Sequence, residues 1–485
     1  MSLKAKALRG TLWTLAEVLG TQGMAFLVFA LLARLLEPRA FGLVALAGTV
    51  ITVLNIFVEA GFSSVIVRSA EIGERKLNTA FWIGVGNAAL LVLVLSLLAS
   101  WVATLYGAPE LAPVLRVLSW LLLFGAVSAV HNALLVRRLD FRSKALRRLI
   151  AVLAGGVDGV TLALLDYGVW ALVGKQAVEG LVDCLVVWRT SPWRPGLEMS
   201  RQDARELFGF GKSMVGSNVV RFINRSADDM IIGMFLGPVA LGYYSVAFRA
   251  NVAVTEVALR ATSRTALPVF AKLQGDPARM RDAYYQALEL ATLVACPVFL
   301  GLSATAPELC LTMFGADWAP SVRPMQVLGL AGVGLAINLY LDPILIAVGQ
   351  PSVCFRFNFA QGVLNVLSFA IAVRWGIEAV AWAFVARTLI VLPAVLWLLR
   401  RAIGADPRRS LALMGAPVLA SLAMLGSVSA TRPALSGLPT LVQLVALIAV
   451  GAVTYIALMA VLARGSMSRL LGVWRAARPM RPAGT

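Results

Sequence analysis

From Thr11 nearly to its end the sequence is a succession of apolar runs, each of about 18 to 25 residues and long enough to cross roughly 30 Å of hydrocarbon. No segment between the runs is large enough to build a soluble domain. The composition agrees: 59% of the 485 residues are hydrophobic, 14% are charged and the mean hydropathy is +0.82, a balance that a water-exposed surface does not carry. The chain is therefore expected to be an all-α polytopic membrane protein with about fourteen transmembrane helices.

Apolar runs and turn residues place spans near 11–35, 41–66, 79–104, 114–136, 148–166 and 169–188, then 213–236, 240–264, 284–306, 324–348, 357–374 and 377–398, and finally 411–430 and 439–463. The first run follows Lys4, Lys6 and Arg9 and is too long for a cleaved signal, so it is expected to remain as the first helix.

A net charge of +18 and a pI near 10.6 do not point to nucleic acid here, because the cations cluster in loops beside apolar runs. Alternate loops are strongly basic: Arg137, Arg138, Arg142, Lys144, Arg147 and Arg148 in one, Arg189, Arg194, Arg201, Arg205 and Lys212 in another, Arg400, Arg401, Arg408 and Arg409 in a third. The positive-inside rule places these in the cytoplasm, and an even number of crossings then puts both termini there. The tail with Arg464, Arg469, Arg475, Arg478 and Arg481 fits that orientation and is expected to lie against anionic headgroups.

The two halves resemble each other. Pro38-Arg39-Ala40-Phe41-Gly42 opens the second span and Pro238-Val239-Ala240-Leu241-Gly242 opens the eighth, 200 residues on. Gly168-Val169-Trp170-Ala171-Leu172 leads the sixth and Gly376-Ile377-Glu378-Ala379-Val380 the twelfth, 208 residues on. Both repeats begin after an even number of crossings, so they are parallel, related by an axis along the membrane normal. The expected organisation is an N-lobe over 1–188, a cytoplasmic linker over 189–212, a C-lobe over 213–398, two further helices over 399–463 and a basic cytoplasmic tail over 464–485.

An ionisable group at mid-helix costs at least about 2.5–3.5 kcal/mol to insert, so charges inside spans mark candidate function. In the seventh span Arg221, Arg225 and Asp228 or Asp229 share one polar face with Ser217, Asn218 and Asn224. The eighth carries Arg249, Glu256 and Arg260, the sixth Lys175, Glu179 and Asp183 at i,i+4 steps, and Glu17, Asn55 with Glu59, Asp158 and Asn338 with Asp342 add polar groups. A guanidinium holds phosphate oxygens bidentately and stays charged when partly desolvated. Arg225, Arg221, Arg249 and Lys175 are therefore the candidate anion-binding groups, Arg225 first. Equally, Arg221 could pair with Asp228 or Asp229 and Lys175 with Glu179, merely neutralising buried charge. Asp228, Asp229, Glu59 and Asp342 are candidates for coupling to protons or sodium. Arg260, Asp183 and Arg387 lie nearer span ends, where snorkelling accounts for them.

The four cysteines have no CxxC spacing and His131 is the single histidine, so neither a metal site nor a disulfide framework is expected. No P-loop motif is present, so no nucleotide cofactor is expected and any driving force comes from an ion gradient, the membrane potential or product consumption.

Ala33-Arg34-Leu35-Leu36-Glu37-Pro38 with Phe41-Gly42, Glu59-Ala60-Gly61-Phe62, Arg137-Arg138-Leu139-Asp140-Phe141-Arg142, and Asn224-Arg225-Ser226-Ala227-Asp228 running into Ile231-Ile232-Gly233 resemble the Wzx-like, colanic-acid-exporter branch of polysaccharide flippases, in the multidrug/oligosaccharidyl-lipid/polysaccharide (MOP) exporter superfamily. Met234-Phe235 departs from that pattern, in which a basic residue is expected. The resemblance implies two six-helix lobes, two extra C-terminal helices, and alternating access to undecaprenyl-pyrophosphate-linked oligosaccharide in the bacterial inner membrane, with membrane lipids and the polysaccharide polymerase and export machinery as partners. Three rivals remain at this stage. A cation-coupled drug exporter of the superfamily would favour an acidic, aromatic cavity. A membrane-embedded glycosyltransferase or polymerase would need a sizeable external loop, and a scaffold for an assembly complex would leave cavity arginines dispensable.

Overall fold

The computed structural model describes residues 20–59, 66, 73–138, 141–258, 266 and 269–463. Glu17, Arg260 and the basic tail lie outside them. Every described element is helical, as the apolar runs require: α1 (Gly20–Leu35), α2 (Pro38–Glu59), α3 (Glu74–Leu105), α4 (Leu111–Leu118), α5 (Trp120–Arg137), α6 (Phe141–Leu164), α7 (Val169–Thr190) and α8 (Arg201–Ala258) come first. They are followed by α9 (Pro277–Met313), α10 (Val322–Leu330), α11 (Gly332–Asn338), α12 (Leu341–Ala347), α13 (Pro351–Ala372), α14 (Ile377–Ile403), α15 (Pro407–Thr431) and α16 (Thr440–Leu462). Among the described residues nine helices are long and apolar enough to cross a bilayer, ten if the pair bent by 43° at Ala331 is one span.

The difference from the expected fourteen has physical causes. Charges in α6 and α7 dilute their hydropathy. The 58-residue α8 is two limbs meeting at Gly237, whose φ of 80° and ψ of 179° break the helix. Tyr244 Oη donates to Asp228 Oδ2 at 2.8 Å across that break. Sixteen residues of straight helix would separate the two by about 24 Å, so the second limb folds back on the first. Counted as separate crossings, the limbs and the described helices are consistent with the expected number.

The chain packs as two compact units. The first holds the described residues up to Val246 with Met313–Asp317 and Asn358–Val380; the second holds Ala247–Thr312, Trp318–Phe357 and the described residues from Ala381 on.

Inside the first unit the repeat signatures meet reciprocally. A Cβ on Gly42 would overlap the carbonyl of Pro238, and a Cβ on Gly242 would overlap that of Pro38. Each motif supplies both the small residue and the backbone it admits, as an approximate two-fold relation between homologous helix starts requires. The other repeat pair is matched in conformation: Gly168 and Gly376 both have positive φ, 55° and 92°, immediately before α7 and α14. α6 and α7 pack through Gly155 and Gly159, which lie against Lys175 and Glu179 of α7, a small-xxx-small approach.

In the second unit Arg432, just beyond α15, grips Glu308 of α9 with Nε at 2.6 Å and Nη2 at 3.3 Å and also donates to the Ala304 carbonyl. That bidentate pair ties the last helical hairpin, α15 and α16, to α9.

Candidate functional site

The first limb of α8 places the predicted polar face, and the structure divides it. Asn224 and Asp228 turn inward. Asn224 donates to the carbonyl of Asn358 at 2.8 Å and accepts from Asn365 at 2.9 Å, and Asp228, 3% exposed, is bound by the buried Tyr244 hydroxyl. Arg221 and Arg225 stay on the exposed edge one turn apart. Arg221 donates to Asn218 Oδ1 at 2.8 Å, not to Asp228 or Asp229. Arg225 makes no hydrogen bond and no ion pair with any described residue, although Asp229 one turn on shares its field. A guanidinium within an apolar span and without a partner is costly unless water or an anion meets it.

Lys175 sits differently. Its Nζ lies 2.9 Å from Glu179 Oε2, and Arg148 of α6 takes the other carboxylate oxygen at 2.8 Å. Beside them Arg147, 6% exposed, pairs with Asp183 at 3.1 Å and donates to Asn132 of α5. Three cations and two carboxylates thus form one cluster between α6 and α7, with Asp158 on the same helix pair. Asp183 is fixed by Arg147 instead of reaching the interface. Arg147 and Arg148, expected in a basic loop, lie within α6, because carboxylates on α7 offer them partners a turn inside the helix. Their spacing opposite Glu179 and Asp183 was the available signal.

The remaining candidates are separate. Glu59 ends α2, exposed, with Asn55 Nδ2 3.5 Å from its carboxylate. Arg249 is exposed and belongs to the second unit, as does Asp342, which accepts from the Cys354 thiol at 3.2 Å. Arg387, expected to snorkel, is 7% exposed, with its guanidinium 4.9 Å from the Phe384 ring centroid. Sequence reasoning also missed Tyr244, Asn358 and Asn365, whose role depends on the fold-back at Gly237 and on helix pairing distant in sequence.

At the start of α2, Arg39 donates to both oxygens of Glu110, which lies outside the spans between α3 and α4, at 3.0 Å and so holds that carboxyl below its ordinary range. Among the described residues no three or more His, Cys, Asp and Glu side chains converge as a metal site would require.

Repeated helices, a broken and folded-back α8, and charges held within apolar spans describe a polytopic membrane protein. The chain belongs to the family described as polysaccharide biosynthesis protein, whose model matches residues 31–323. It is 31% identical over 478 residues to the succinoglycan biosynthesis transport protein ExoT of Rhizobium meliloti (strain 1021), covering 97% of this chain and 96% of that protein. Over 377 residues it is 23% identical to the lipopolysaccharide biosynthesis protein WzxC of Escherichia coli (strain K12), covering 76% of each. The lipid II flippase MurJ in its inward closed conformation shares the fold, with a TM-score of 0.77 at 15% identity over 94% of this chain and 99% of that one. The Wzx-like resemblance is thereby borne out, and the protein is a flippase-type transporter of polysaccharide biosynthesis.

Proposed function

We propose that the protein moves undecaprenyl-pyrophosphate-linked oligosaccharide repeat units from the cytoplasmic to the periplasmic leaflet of the bacterial inner membrane by alternating access. It is a transporter without a catalytic step, and its cargo is delivered to the polymerase and export machinery. The observation that carries this reading is Arg225, an exposed guanidinium inside an apolar span with no ion pair among the described residues, one turn from Arg221. A diphosphate supplies the anion such a group lacks, and two neighbouring forks match its oxygens. Arg249 is the further candidate contact. Lys175, already held by Glu179, contributes field more than a direct grip. The lobes at 1–188 and 213–398 are the bodies that rock, both termini are cytoplasmic, and Asp229, Glu59, Asp228 and Asp342 are the carboxylates through which sodium or protons would couple.

Binding tests this directly. In nanodiscs, Arg225→Ala should weaken binding of an undecaprenyl-diphosphate oligosaccharide about 10- to 150-fold, the equivalent of a charged hydrogen bond of about 1.5–3 kcal/mol. Arg225→Lys, which keeps the charge without the fork, should fall between. Equal affinity in wild type and Arg225→Ala would overturn the assignment of this residue.

A further inference from the structure

The second unit holds a cavity of about 550 Å³ that none of the candidate transport residues lines. It lies between the start of α13 and the last turns of α14, and its walls include Gln350, Arg356, Phe357, Trp397, Leu398 and Arg401. We propose that this groove binds the headgroup of an anionic phospholipid from the surrounding leaflet.

Its chemistry is amphiphilic in a fixed order. Along α14, Ile390, Ala394, Trp397 and Arg401 follow i, i+4, i+7 and i+11 spacing, so they share one face. Ile390 is 68% and Trp397 55% exposed, and the Arg401 guanidinium stands 5.6 Å from the Trp397 ring centroid. The stripe therefore runs about 16 Å from an exposed aliphatic residue, past an aromatic one, to a cation. A phospholipid presents the same sequence from acyl chain through glycerol to phosphate.

Arg356 supplies a second guanidinium from the opposite wall, and neither arginine pairs with a described carboxylate. Two forks and the Gln350 carboxamide suit a phosphodiester, whereas a zwitterionic headgroup would bring its own ammonium toward them. The volume falls within the roughly 300–1,000 Å³ of ligand pockets, and basic pockets between transmembrane helices are where anionic headgroups are held. Arg400, Arg408 and Arg409 lie at the same end of α14. By the positive-inside rule the leaflet is the cytoplasmic one. Only this choice of leaflet rests on the orientation proposed above; binding itself does not.

Native mass spectrometry of the purified chain, titrated separately with phosphatidylglycerol and phosphatidylcholine, tests the proposal. Wild type should retain phosphatidylglycerol at least about tenfold more tightly, a difference of about 1.4 kcal/mol. Arg356→Gln/Arg401→Gln should lose that preference, and Arg356→Lys/Arg401→Lys should keep part of it. Arg225→Ala should leave it intact whatever its effect on cargo, which separates this proposal from the transport assignment. Should the double glutamine variant fail to fold, the single variants carry the test, each reducing the preference. Equal retention of the two lipids by wild type would overturn the proposal, as would undiminished preference in the glutamine variants. Stoichiometric displacement of phosphatidylglycerol by undecaprenyl diphosphate would reassign the groove to cargo and overturn it as well.

Discussion

Arg225 and Lys175 look alike in the sequence, each a cation in an apolar span with a carboxylate four residues on. Their difference is a matter of neighbours. Glu179 accepts both Lys175 and Arg148, so the spare charge of α6 and α7 is absorbed locally, whereas Arg225 keeps an exposed fork that no described residue pairs. Glu179→Gln should therefore destabilise the protein by about 3 kcal/mol, since it strands the largely buried Lys175 and takes a partner from the half-exposed Arg148, while Lys175→Met leaves Glu179 still paired and should do less; thermal unfolding in detergent reads the difference. Arg432→Ala should lower the unfolding temperature through the stranded, 6%-exposed Glu308 side chain, with a loss of about 1.5–3 kcal/mol, and Arg432→Met/Glu308→Leu should recover much of it. Arg39 and Glu110 make the contrasting case, both about half exposed, at 45% and 51%. Because Arg39 lowers the folded-state pKa of Glu110, their pair stabilises at pH values above the ordinary carboxylate value of 4.5 and loses that contribution as pH falls through the lowered one. Glu110→Gln should thus cost no more than about 1 kcal/mol at pH 7 and nothing measurable once the carboxylate is protonated.

At the scale of elements, helices were legible because length and apolarity alone set them, and the start of α7 after Gly168 and of α14 after Gly376 fell where the turn glycines stood. Breaks inside apolar runs were not legible. The divide between α4 and α5 at Ser119, and the bend at Ala331, occur in stretches whose composition does not change. The repeat was visible as two short motifs, but their mutual packing was not, since a sequence does not say that Pro38 and Gly242 meet. That packing makes a sharp prediction. Gly42→Val or Gly242→Val would drive a side chain into backbone carbonyls that have no room to yield, and either variant should lower the yield of folded, monodisperse protein on size-exclusion chromatography far more than Gly48→Val, whose Cβ position is open. At Gly376, φ of 92° strains any L side chain, so Gly376→Ala should destabilise by about 1–3 kcal/mol.

For the whole molecule, the alternation of basic and neutral loops and the exposed Trp101 and Trp375 near loops poor in cations describe a protein set across a bilayer. What composition could not give is which charges face substrate, because that depends on partners brought together from helices far apart in sequence. In the proposed function, this positive, exposed edge of α8 serves a lipid-linked diphosphate during transport. Its most direct test is reconstitution of the purified chain into proteoliposomes carrying a fluorescent undecaprenyl-diphosphate oligosaccharide, with appearance of the label in the opposite leaflet followed over time. Wild type should flip the lipid and folded Arg225→Ala should be slowed at least about tenfold; no flipping by folded wild type above protein-free vesicles would contradict the proposed function.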